Sequence, residues 1–133
     1  MKRFNVVFAI GVGIAALILF SQDVDAIQLL FPLGTLHVLI LAILAWHSNP
    51  KLTAGLVEGL HKAGFLHTLM ALAAALVVSA QILRPGNKAA DLSQILLPMG
   101  AALIPHVLGV CFGHFLNSRH SEAQPALEES VFK

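Results

Sequence analysis

Two apolar stretches, Gly64–Leu83 and Leu96–Leu116, constrain this chain more than any other feature. Each is about as long as a helix must be to cross the hydrocarbon core of a bilayer, roughly 20 residues. Each also carries polar side chains that lipid rejects: His67, Thr68 and Ser79 on the first, His106 and His114 on the second. In a membrane helix such groups turn from the acyl chains toward other protein or a water-filled path. The two stretches therefore point to a polar site inside a helix assembly.

The composition agrees. Of 133 residues, 57% are hydrophobic and 11% charged, against about 25% charged in an average soluble domain. So little charge cannot cover a water-facing surface, and an all-α polytopic membrane protein is expected. Four helices should span, over 6–20, 29–46, 64–83 and 96–116, making one transmembrane domain across 1–117 with a polar tail over 118–133. With the N-terminus in the cytoplasm, Lys2, Arg3, Lys51, Lys62, Arg119 and Lys133 lie inside and only Arg84 and Lys88 outside. That imbalance places both termini in the cytoplasm. A net charge of +1 without a basic cluster argues against nucleic acid as a partner. The single cysteine, Cys111, permits no internal disulfide. Met1-Lys2-Arg3, an apolar run and Val24-Asp25-Ala26 loosely resemble a secretory signal. Asp25 is awkward beside a cleavage site, and the first helix is expected to stay uncleaved.

Local signals organise the spans. Gly11, Gly13, Ala15 and Ala16 allow close approach on the first helix. Pro32 is tolerated in the first turn of the second, which carries His37 near mid-membrane and Trp46 and His47 at the cytoplasmic interface. Ser48-Asn49-Pro50 signals a turn. Leu52, Leu56, Val57 and Leu60 then repeat at helical spacing opposite Glu58 and Lys62. This predicts a short amphipathic helix within 48–63, on the membrane surface or against a neighbouring subunit. Arg84-Pro85-Gly86-Asn87 reads as a tight turn, with 88–93 as a helical lead-in, and Asn117-Ser118 as the exit of the fourth helix.

Periodicity sorts the last two spans into faces. Ala102, His106, Gly109 and Gly113 form one stripe, with Gly109 and Gly113 a small-xxx-small pair. Pro105 removes a backbone donor and frees the carbonyl near Ala101. Thr68, Ala71 or Leu72, Ala75 and Ser79 form a comparable stripe on the preceding span. Such stripes serve helix packing as readily as transport, and on the faces alone packing stands slightly ahead.

A resemblance adds direction. Gly64-Phe65-Leu66-His67-Thr68-Leu69 resembles the glycine-apolar-apolar-glycine-threonine pattern that opens a pore helix in the MotA/TolQ/ExbB proton-channel family. Ala101-Ala102-Leu103-Ile104-Pro105-His106-Val107-Leu108-Gly109-Val110 is similar to that family's Ala-Leu-Ile-x-Thr-x-x-Gly segment on the next helix. The likeness covers about 64–117. It implies a bacterial inner-membrane stator subunit, a homo-oligomeric ring, usually a pentamer, enclosing a single-span partner of the ExbD/TolR/MotB kind. That partner would carry a proton-binding aspartate. Thr68 matches the family's first pore threonine, and His106 stands where the second would be. Thr68, His106, Ser79, Ala75 and Ala102 are then expected to line the ion path, with Gly109, Gly113, Gly11 and Gly13 packing helices. His67 replaces a family glycine, and the cytoplasmic portion is reduced to 47–63 and the tail. No resident cofactor is implied.

Seven histidines in so apolar a chain support a second reading. His37 and His106, both near the bilayer centre, could hold a b-type haem from its two faces, while His47, His67 and His114 lie nearer the cytoplasm. Spacings of roughly 15 Å and 12 Å between the histidines of each span disfavour two haems. A transition-metal permease using the cytoplasmic histidine cluster also survives, although carboxylate and thiolate ligands are sparse, with no Asp or Glu in the spans and Cys111 alone. No pattern of conventional enzyme chemistry is present.

Overall fold

Apolar side chains recur at helical spacing through most of the chain, and the backbone follows them. The computed structural model describes residues 1–21, 24–49, 52–83 and 93–131, and their side chains except 24, 25, 93–95, 120 and 122–131. Six helices follow in order: α1 (Lys2–Phe20), α2 (Val24–Gln28), α3 (Leu30–Trp46), α4 (Thr53–Ile82), α5 (Ser93–Ala102) and α6 (Ile104–Val131). There is no strand among the described residues. Among the described residues, four segments are long and apolar enough to cross a membrane: Lys2–Phe20, Ala26–Trp46, Thr53–Ile82 and Leu96–Arg119.

α4 is the centre of the bundle and touches α1, α3, α5 and α6, with α6 its most extensive neighbour. Two apolar clusters fill the interior. One gathers Phe4, Val38, Leu41, Ala45, Leu56, Leu60 and Leu116. The other gathers Ala15, Ile27, Leu30, Ala74 and Val78. At one end, Arg119 of α6 donates to the Trp46 carbonyl at 3.1 Å and lies 4.2 Å above the indole ring. One arginine thus satisfies the exposed C-terminus of α3 and adds a cation–π contact.

The structure alters several expected boundaries. Among the described residues, 48–63 holds no separate surface helix. α4 begins at Thr53 and runs to Ile82 as one helix. No proline interrupts it, and the face Leu56, Leu60, Ala63 continues in phase through His67, Ala71, Ala74 and Val78. Leu56 and Leu60 consequently enter the core instead of facing lipid headgroups or another subunit. Glu58 and Lys62, on the opposite face, form an exposed ion pair at 2.6 Å. The expected loop before the second span contains the short α2.

The expected fourth span is broken at Leu103, whose N–H bonds to the Gly100 carbonyl at 3.2 Å. Pro98 lies inside α5, and Pro105, in the first turn of α6, cannot donate to the Ala101 carbonyl. The tail does not leave the helix at Asn117-Ser118. Its backbone is helical to Val131, and Ser121 Oγ donates to the Asn117 carbonyl at 3.1 Å. The turn at 84–87 and the lead-in from Lys88 lie outside the described residues, apart from Ser93, which opens α5.

Candidate functional site

Two histidines meet in the interior between the two apolar clusters. His37 Nδ1 of α3 lies 2.6 Å from His67 Nε2 of α4. His37 Nε2 lies 3.0 Å from the Val7 carbonyl of α1. The rings stand edge to face, centroids 4.8 Å apart, and only 6% and 2% of the two residues' surfaces are exposed. A carbonyl only accepts, so His37 Nε2 carries its hydrogen and donates to Val7. In the neutral ring Nδ1 is then bare, and His67 Nε2–H donates to it. One backbone oxygen therefore sets the tautomers of both neutral rings.

Glycines make room for these rings. A Cβ at Gly11 of α1 would collide with the His37 ring at Nε2. A Cβ at Gly34 of α3 would lie 3.0 Å from His67 Cβ. His67 was expected near the cytoplasmic face, but because α4 starts at Thr53 it stands at that helix's midpoint.

A second polar region follows the contact between α4 and α6, where the backbones nearly touch. A Cβ at Gly64 would lie 2.6 Å from the Pro105 oxygen, and one at Gly109 2.7 Å from the Leu60 oxygen. Gly113 in turn faces the His61 ring and Val57. This antiparallel register sets Leu60 against Gly109 and Gly64 against Pro105–His106. One turn further, Thr68 stands level with Ala101–Ala102, where the helix breaks. Three buried polar atoms have no hydrogen-bond partner among the described residues: His61 Nε2, Thr68 Oγ1 and His106 Nδ1. All belong to this seam. Buried polar groups are paired in the large majority of cases, so three on one contact form a local exception. A cavity of about 550 Å³, lined by Gln28, Phe31, Val78, Ile82, Leu97 and Ala101 among others, reaches the seam's far end.

The remaining expected site residues divide. Thr68 is 7% exposed, and Ala75 and Ala102 are buried, all within a single chain. They are covered by the bundle itself and not presented on an outer face. Ser79 Oγ donates to the Ala75 carbonyl of its own helix at 2.7 Å. Gly109, Gly113 and Gly11 each make a close helix contact. Gly13 does not: it is exposed, with nothing near its missing Cβ, so its expected packing role is absent within one chain. His37 and His106 are not brought together. Both nitrogens of His37 are bonded elsewhere, and the His106 ring lies against Phe65 at 6.1 Å between centroids. They form no axial pair for haem. Among the described residues, no three His, Cys, Asp or Glu side chains converge to hold a metal.

The fold alone defines the class: an all-helical chain with four helices long and apolar enough to cross a membrane, the arrangement of a multi-pass membrane protein. No protein-family model, curated protein or solved structure matches it.

Proposed function

We propose that this chain is the ion-conducting subunit of a proton-driven membrane motor or channel, with its path along the α4–α6 seam. The row of unpartnered buried atoms, His61 Nε2, His106 Nδ1 and Thr68 Oγ1, carries this reading. Polar groups kept only for packing are expected to be bonded, because each one left unpaired when buried costs about 1–3 kcal/mol. Groups that serve a passing proton must instead have bonding capacity to spare. The cavity that reaches Ala101 supplies an approach from the α5 side.

The resemblance of 64–69 and 101–110 to the MotA/TolQ/ExbB family supports the same seam, since Thr68 and His106 occupy its two motif positions. On this reading the chain sits in a bacterial inner membrane with both termini in the cytoplasm. Copies assemble as a ring, usually of five in that family, around a single-span partner. The partner supplies the aspartate, since 6–20, 29–46, 64–83 and 96–116 contain no Asp or Glu. A path inside each subunit, and not a lumen between copies, is the form the burial of Thr68 and Ala102 favours.

Proton flux across native membrane vesicles that hold the full-length protein together with the partner it retains tests the proposal. Wild type should dissipate an imposed proton gradient, whereas Thr68→Ala and His106→Ala should lose that flux at unchanged oligomer mass. Undiminished flux in both variants, or none from the wild type, contradicts it.

A further inference from the structure

We propose that His37 and His67 together form a binding site for a single proton at mid-membrane, separate from the α4–α6 seam. Both residues stand at the centres of their helices, and both are almost entirely enclosed. In the neutral pair every hydrogen has an assigned place. His37 Nε2–H donates to Val7, and His67 Nε2–H donates to His37 Nδ1. The nitrogen outside both bonds is His67 Nδ1, which lies close against Gly34, where a Cβ would stand 3.3 Å from it.

An incoming proton forms its N–H bond at His67 Nδ1 and makes that ring an imidazolium. The bridging hydrogen can then leave His67 Nε2 and bond to His37 Nδ1, moving the charge from α4 to α3 with no further exchange. A second proton is excluded by geometry. It would put hydrogens on both facing nitrogens, 2.6 Å apart, with like charge on both rings. The proton thus belongs to the pair and not to either ring. A charged donor also strengthens the bond to the Val7 carbonyl, so occupancy fastens α1 to α3.

No other charge decides the matter. From α1 the pair faces Val7 and Gly11, and from α3 Gly34, none of them titratable. Glu58 and Lys62 of α4 are exposed and paired with each other, and His61 turns to Gly113 on α6. His106 lies against Phe65. A groove of about 190 Å³ between α1 and α3, lined by Val7, Gly11, Leu36 and His37 among others, lies beside the pair on the His37 side.

NMR of isotope-labelled imidazole nitrogens in the full chain, reconstituted in lipid nanodiscs and followed from about pH 8 to about pH 3, tests the site. The expected result is one common midpoint for His37 and His67, a total uptake of one proton, and scalar coupling between His37 Nδ1 and His67 Nε2. In His67→Gln, whose amide N–H still donates to His37 Nδ1, the coupled step should vanish while the fold persists. Two independent midpoints, uptake of two protons, or no uptake in wild type would overturn the proposal. The experiment needs no conduction, so its failure and failure of the pore reading are separable.

Discussion

His37 and His67 bind to each other across α3 and α4 at 2.6 Å, and His37 also holds the Val7 carbonyl of α1 at 3.0 Å. Two side chains therefore fasten three helices. His67→Ala leaves His37 Nδ1 buried without a donor, at a cost of about 1–3 kcal/mol. His67→Gln should recover most of that loss. Thermal unfolding in detergent measures the difference, and an alanine variant as stable as wild type would contradict the bridge.

The glycines of α1 should separate cleanly. At Gly11 any side chain collides with the His37 ring, whereas Gly13 faces open space. Gly11→Val is predicted to destabilise by about 1–3 kcal/mol through overpacking. Gly13→Ala should be neutral or slightly stabilising, by up to about 1 kcal/mol from helix propensity. Equal melting of the two variants would show that α1 does not pack as described.

Gly64 is the tightest test of the α4–α6 register. Its missing Cβ would meet the backbone oxygen of Pro105 at 2.6 Å, and a backbone atom yields less readily than the end of a side chain. Gly64→Val should lower the melting temperature more than Gly100→Val, because Gly100 has nothing within reach. The reverse order would place α6 elsewhere.

Arg119 and Trp46 offer an optical check, since Trp46 is the chain's single tryptophan. Arg119→Ala removes a guanidinium 4.2 Å above the indole and a donor to the Trp46 carbonyl. A change in tryptophan emission is expected, with a loss of about 0.5–1 kcal/mol. Unaltered emission would mean the two residues do not meet.

The helical class and the four spans were legible because apolar length is a strong signal. The start of the third span was not. Glu58, His61 and Lys62 interrupt the apolar run from the sequence's point of view, and a boundary at Gly64 follows naturally. In the structure those polar groups occupy one side of α4, while Leu56, Leu60 and Ala63 keep the buried face in phase with His67. That misplaced boundary put His67 at the membrane's edge and hid its partner. Following the phase of the face, and not the mean polarity, would have brought His67 level with His37. The seam was more visible: Gly64, Gly109 and Gly113 announce close approach by size alone. The missing partners of Thr68 and His106 depend on neighbours from three helices, which spacing within one helix cannot reveal.

Thr68→Val examines the main claim most directly, because valine fills nearly the same space without the hydroxyl. Thr68 Oγ1 is buried with no partner among the described residues, so its removal should leave stability unchanged or raise it by about 1 kcal/mol. Proton flux through the same folded variant should be lost. A Thr68→Val protein that melts no lower than wild type and conducts protons as well as wild type would contradict an ion path along α4 and α6.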